Sequence, residues 1–151
     1  MNIAAVVKDL SISQNSFYMI KEFNKLIDNT DISVGAFFQR SAIPPIDTLF
    51  GCKMASFING YEGVLIATSL ELAEMCLRST NKTKQYLYVW DMDWLENAVY
   101  FESAMKIMRS KDIEILARSK SHAVCIENFC NRSPVGIVDN WDIETILEIV
   151  K

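Results

Sequence analysis

The chain has 151 residues, a formal net charge of −4 at pH 7 and 50% hydrophobic residues. This length and apolar content predict a folded domain with a sizeable core and exclude a disordered chain. The acidic balance argues against nucleic acid as the main partner, and no apolar run approaches the roughly 18–20 residues that span a bilayer.

Apolar runs that suit buried strands alternate with segments of helical periodicity along the whole chain. In the first half, the predicted elements are a strand at Asn2–Val7, a helix at 13–27 capped by Ser13, a turn at 28–31, a strand at 32–38, a loop at 40–51 and a strand at 53–58. In the second half, they are a strand at Val64–Ala67, a helix capped by Thr68 with Glu71 reaching back, a strand at 85–90, a helix from its cap Asp93 to about residue 110, a strand at 113–117, a helix at 119–130, a strand at 135–138 and a last helix capped by Asp139 or Asn140.

This alternation favours one fold class. Strands joined by crossover helices form a mostly parallel sheet with helices on both faces. We therefore predict an α/β fold, a single Rossmann-like three-layer domain over residues 1–151. In such sheets, ligands bind beyond the carboxyl ends of the strands, where the strand order reverses.

The loop after the first strand bears on nucleotide binding. It contains no glycine between Lys8 and Asn15, so neither the Rossmann fingerprint nor a Walker loop is present, and NAD or ATP bound in the usual way is not expected. Ser11 and Ser13 could hydrogen-bond a sugar or a small anion at the start of the helix. The favoured alternative is that they only cap the helix.

The segment after the fifth predicted strand alternates acids with aromatic and apolar residues, from Trp90 through Asp91, Met92 and Asp93 to Trp94. Aromatic rings beside carboxylates are typical of carbohydrate sites, and two carboxylates are too few for a hard cation. The alternative interpretation is that Asp93 caps a helix while both tryptophans pack in the core.

Two further residues follow the sixth predicted strand. Arg118 and Ser119 precede a helix and could hold a phosphate or a carboxylate, or they could be an exposed arginine and an N-cap serine. The four cysteines form no C-x-x-C pair, and we interpret them as buried thiols. We predict no metal and no cofactor.

Three parts of the chain, taken together, resemble the N-terminal domain of GT-B glycosyltransferases. They are the residues from Tyr86 to Leu95 with the helix that follows, the segment 113–119 with its helix, and the residues from Val135 to Asn140. The resemblance covers most of the chain in the order of elements, and it implies an acceptor-side domain. The glycine-rich first loop common in that family is missing, and nothing corresponds to the donor-binding second domain.

These departures lead us to expect a stand-alone glycosyltransferase-like domain that is not catalytic by itself and acts as a binding or assembly module, with a sugar or nucleotide sugar as the ligand. One alternative is a glycosyltransferase subunit that binds an acceptor sugar and works with a separate donor-binding domain. Another is a viral structural or host-interaction protein, because small pieces of enzyme folds are common in phage genomes. The expected location is the cytoplasm, or the host cytoplasm or virion for a phage protein.

The mean hydropathy of +0.12 is high for a short chain. Apolar surface left by a missing second domain would favour a homo-oligomer or a protein partner. The predicted interface residues lie between the second and third strands or at the start of the third, and they are Ile43, Ile46, Leu49, Phe50 and Met54.

Overall fold

The computed structural model describes residues 1–28, 31–80 and 84–151. The described residues form one sheet of seven parallel strands in the order β3-β2-β1-β4-β5-β6-β7, which confirms the predicted fold class. The strands are β1 (Asn2–Val7), β2 (Ser33–Phe38), β3 (Gly51–Met54), β4 (Val64–Ala67), β5 (Gln85–Val89), β6 (Glu114–Ala117) and β7 (Gly136–Ile137).

Six α-helices connect or follow these strands in the described part of the chain. They are α1 (Gln14–Asn24), α2 (Leu70–Arg78), α3 (Asp93–Glu96), α4 (Phe101–Met108), α5 (Lys120–Cys130) and α6 (Ile143–Val150). The chain leaves β1 in one direction along the sheet to form β2 and β3, and it returns to the other side of β1 as β4. The order therefore reverses between β1 and β4.

Each face of the sheet carries its own hydrophobic core, because successive strand side chains point to opposite faces. In β1, Ile3 and Ala5 pack with the apolar sides of α1 and α6, whereas Ala4 and Val6 pack with those of α2, α4 and α5. Covering both faces of a parallel sheet requires strands that are apolar along their buried length, as β1 is from Ile3 to Val7. The result is a three-layer arrangement.

The third strand differs from its prediction. The sequence predicted a strand over 53–58, but β3 ends at Met54 and a 3-10 turn follows at Ala55–Phe57. Ala55 and Ile58, three residues apart, are both buried. That spacing suits a helical turn, whereas in a strand residues three apart point to opposite faces.

The single helix predicted after β5 is broken into α3, a 3-10 turn at Ala98–Tyr100, and α4. The break falls at Asn97, whose side chain accepts a hydrogen bond from the backbone N–H of Val99. Asparagine offers the backbone such local bonds in place of helical ones, and this competition ends α3 after one turn. Asp93 is the first residue of α3 and makes no side-chain cap bond.

Two other predicted caps are displaced. Ser69, and not Thr68, caps α2 by accepting from Leu72 N. Asp142, and not Asp139 or Asn140, caps α6. Helix α1 ends at Asn24, earlier than predicted, and residues 29 and 30 of the predicted turn at 28–31 lie outside the described residues.

None of the helices in the described residues combines the length and the apolar character that crossing a membrane requires.

Candidate functional site

A cleft of about 410 Å³ opens at the carboxyl ends of β1, β4 and β5, next to the point where the strand order reverses. This is where the general rule for open α/β sheets places a ligand. The lining residues come from the ends of these strands, from the loops that follow them, and from α1, α2, α3, α4 and the turn before α4. They are Lys8, Asn15, Thr68, Ser69, Leu70, Glu71, Glu74, Leu87, Tyr88, Val89, Trp90, Asp91, Asp93, Trp94, Tyr100, Ser103 and Ile107.

The base of the cleft is fixed by the pairing of β1 with β4. The backbone N–H of Thr68 donates to the carbonyl of Val6 at 3.1 Å, and its hydroxyl donates to the same oxygen at 3.2 Å. Both donors hold the end of β4 against the end of β1. The next residue, Ser69, caps α2, so the N-terminal end of this helix also faces the cleft.

One wall of the cleft is acidic. Four carboxylates and one ammonium are the charged groups among the described lining residues, namely Glu71, Glu74, Asp91, Asp93 and Lys8. Glu74 is paired with Arg78 at 2.6 Å, and Glu71 accepts from the amide of Gln39 at 3.1 Å. None of the ion pairs found among residues 1–28, 31–80 and 84–151 involves Asp91 or Asp93.

The aromatic residues of the cleft are less open than the sequence suggested. Trp90 and Trp94 are both buried, as the alternative interpretation predicted. The guanidinium of Arg118 lies 3.8 Å from the ring centre of Trp90, so one face of this ring is already covered. Trp94 packs against Phe129. Tyr100, which is 52% exposed, is the aromatic ring that the cleft offers to a ligand.

Trp94 carries an unsatisfied hydrogen-bonding group. The residue is only 4% exposed, and its indole Nε1–H has no hydrogen-bond partner among the described residues. A buried polar group without a partner costs roughly 1–3 kcal/mol. Although Trp94 lines the cleft, its Nε1 atom is itself buried and is not presented to a ligand there.

The other predicted site residues have structural tasks. Ser13 caps α1 by accepting from Ser16 N at 3.1 Å, and Ser119 caps α5 by accepting from His122 N at 3.2 Å. Ser11 donates its hydroxyl to Asp9. None of these three serines lines the cleft, whereas Asp91, Asp93 and Trp94 all do. Arg118 does not line the cleft, but its guanidinium covers one face of Trp90, which does.

The predicted interface residues divide into two groups. Ile43, Leu49 and Met54 are exposed, at 83%, 59% and 42% respectively. Phe50 is buried against Phe23, with ring centres 5.5 Å apart, and Ile46 is partly buried on the same core.

Nucleophilic and metal-binding groups are sparse in the described residues. No group of three or more His, Cys, Asp or Glu side chains is arranged there to hold a metal ion. The prediction of buried thiols holds for Cys76 and Cys130 but is wrong for Cys52, which is partly exposed, and for Cys125, which is exposed. Burial raises the pKa of Cys76 to about 12, so this thiol stays protonated at neutral pH.

Several lining residues were missed because nothing in their local sequence marks them. Lys8 and Asn15 flank the first loop, Tyr100 ends the 3-10 turn that follows α3, and Ser103 lies in α4. Glu71 and Glu74 belong to the first turns of a predicted helix, and the side chain of Glu71 was expected to accept a hydrogen bond from the backbone at the start of that helix. The one feature of the sequence that could have identified them is their position in the chain, because all of these residues follow the carboxyl end of a predicted strand.

Comparison with known proteins adds nothing to this geometry. The chain matches no protein-family model, and neither a curated protein nor a solved structure matches it.

Proposed function

We propose that the chain is a glycosyltransferase-like binding module that holds a polyhydroxylated ligand, such as an acceptor sugar, in the cleft at the carboxyl ends of β1, β4 and β5. The proposal includes no catalysis by this chain alone. The observation that carries it is that two carboxylates of the cleft, Asp91 and Asp93, form no ion pair among the described residues, and that the Lys8 ammonium lines the same cleft.

The donors and acceptors of the cleft match the chemistry of hydroxyl groups. A hydroxyl both donates and accepts, and a carboxylate accepts only. Asp91 and Asp93 would accept from ligand hydroxyls, while the Lys8 ammonium would donate to ligand oxygens. Hydrogen bonds to charged groups are the stronger ones, at about 1.5–3 kcal/mol each.

The charge of the cleft favours a neutral sugar over a nucleotide sugar. A diphosphate would bring negative charge beside Glu71, Asp91 and Asp93, with Lys8 as the one cationic lining residue among those described. Like charges at close range disfavour binding. The cleft therefore supports the acceptor side of a glycosyltransferase-like domain better than the donor side.

Isothermal titration with a panel of neutral mono- and disaccharides, amino sugars and nucleotide sugars tests the proposal. We expect a saccharide to bind and the nucleotide sugars to bind more weakly. Asp91→Asn and Asp93→Asn should each weaken saccharide binding about tenfold, equivalent to about 1.4 kcal/mol. Asp112→Asn, at an exposed position outside the cleft, is the control and should change nothing. The proposal fails if no saccharide binds or if the cleft variants bind like the control.

A second candidate function is assembly, and a separate surface favours it. Ile43, Leu49, Met54 and Phe57 are exposed large apolar side chains in and around β3, the edge strand of the sheet. We define these four residues as the β3 patch. Large apolar side chains that are exposed near one another are typical of protein interfaces. A second copy of the chain is the simplest partner, because a twofold contact brings the same patch from both copies together.

A further inference from the structure

We infer that Trp141 is a positioning residue, which orients the side-chain amide of Asn15 so that its NH2 group is the donor offered to the ligand. The inference rests on the proposed function, because it concerns the same cleft. Trp141 itself does not line the cleft.

The hydrogen bond between the two residues determines the orientation of the amide. The indole Nε1–H of Trp141 donates to Oδ1 of Asn15, with 2.6 Å between the two atoms. An indole nitrogen can only donate, so the atom of the amide that faces it must be the oxygen. The Nδ2 atom of Asn15 is thereby turned away from Trp141, and among the described residues it has no hydrogen-bond partner. Asn15 lines the cleft, which leaves its two N–H groups for a ligand.

The position of Trp141 is itself tightly held. The side chain is fully buried, and its ring packs edge-on against Phe23 and Tyr88 with ring centres 5.8 and 5.0 Å away. Tyr88 is held in turn by donating its hydroxyl to the carbonyl of Val138 at 2.6 Å. The indole therefore has one packed position from which it can reach Asn15.

The backbone at Trp141 shows that this position is maintained at a cost. Trp141 has a φ of 63°, and the preceding Asn140 has a φ of 46°. Asparagine tolerates this left-handed region, but a bulky residue such as tryptophan seldom adopts it. Such a conformation costs of order 1–3 kcal/mol and persists only where the surroundings demand it. Here the surroundings are the packed indole and its bond to Asn15.

The oriented amide completes a division of the cleft into donors and acceptors. Asn15 and Lys8 supply N–H groups, and Asp91 and Asp93 supply acceptors. A ligand group that accepts a hydrogen bond must therefore lie next to Asn15. A reversed amide would present an oxygen there and would reject the same group.

The test measures the affinity of the saccharide that binds the wild-type chain best, with Asn15→Asp, Trp141→Phe and the double variant. Asn15→Asp keeps an oxygen for Trp141 and replaces the free donor by an acceptor, so we expect an affinity loss of tenfold or more without a lower melting temperature. Asn128→Asp, an exposed position on α5, controls for the added charge. Trp141→Phe keeps an aromatic ring but releases the amide, and we expect a loss of about threefold to tenfold.

The double variant separates positioning from a general structural effect. If Trp141 acts through the Asn15 donor, Trp141→Phe weakens binding in the wild type and has no further effect in the Asn15→Asp background. Equal losses in both backgrounds, or an unchanged affinity in Asn15→Asp, would overturn the inference while leaving the proposed function intact. If Trp141→Phe does not fold, the indole N–H resonance of Trp141 decides the question: it should move in Asn15→Asp, where its acceptor becomes a carboxylate, and an unmoved resonance would overturn the inference. Failure of the wild type to bind any saccharide would instead overturn the proposed function.

Discussion

At the scale of single residues, the first loop shows how polar side chains near a cleft can serve the fold. Ser11 donates both its hydroxyl and its backbone N–H to Asp9 Oδ1, and the guanidinium of Arg40 lies 3.1 Å from Oδ2. These groups, led by the Ser11 hydroxyl, hold the pKa of Asp9 below its ordinary value, against the opposing effect of burial. The loop is thus braced by its own hydrogen bonds, and Ser11 has a partner without any ligand.

This arrangement predicts a pH-dependent effect of Ser11→Ala. The pKa of Asp9 should rise toward its ordinary value of about 3.9. A carboxyl with a lowered folded pKa adds stability above its unfolded pKa and loses it as the pH falls through the folded pKa. The variant should therefore lower the free energy of unfolding at pH 7 by about 1 kcal/mol and by much less in acid.

Nuclear magnetic resonance titration of the Asp9 carboxyl and urea unfolding at several pH values would check this prediction. Ser13→Ala is the matched control, since it removes the cap of α1 and should cost about 1 kcal/mol at every pH without moving the pKa of Asp9. An unchanged Asp9 pKa in Ser11→Ala would show that the hydrogen bond does not act as described.

Sequence reasoning identified some cleft residues and misjudged others for a physical reason. Asp91 and Asp93 could be predicted, because acids directly after a buried strand must emerge at its carboxyl end. The partners of Trp90 could not be predicted, since Arg118 comes from the neighbouring strand end and covers the ring from there. The bond from Trp141 to Asn15 joins residues 126 positions apart and leaves no local signal.

At the scale of elements, the alternation of buried strands and amphipathic helices was enough to predict the order of the major elements. The strands β1, β4 and β5 are buried over almost their whole length and are mostly apolar, and this pattern suits the middle of a parallel sheet. The errors fall at β3 and at the break after α3. At both places the elements are only four residues long. In so short an element, one side-chain hydrogen bond or the spacing of two buried residues decides which structure forms.

The β3 patch leads to a prediction at this scale. If the assembly function holds, light scattering after size exclusion should report a mass above the 17.2 kDa of one chain. Ile43→Lys combined with Leu49→Lys should then return the chain to a monomer, because two ammonium groups would be placed in the contact. Val124→Lys, on the exposed side of α5, is the control and should leave the mass unchanged. A monomeric wild type would rule out assembly through a second copy.

At the scale of the whole molecule, the site is a product of strand order. Lys8, Asn15, Thr68 and Asp91 are far apart in the sequence, and they meet because β1, β4 and β5 are adjacent in the sheet. The sequence predicted parallel strands and candidate loops at their carboxyl ends. The loops that share one cleft depend on which strands are neighbours, and this order is decided by packing across the whole domain.

The central claim is that this cleft binds a polyhydroxylated ligand. The most direct measurement is a nuclear magnetic resonance titration of the wild-type chain with the saccharide panel, in which the indole N–H of Trp94 and the backbone amides of Asp91 and Asp93 are followed. We predict that a saccharide shifts these resonances together, because Asp91, Asp93 and Trp94 all line the cleft. Resonances that stay unchanged at saturating saccharide, or that shift only at the opposite end of the sheet, would contradict the account.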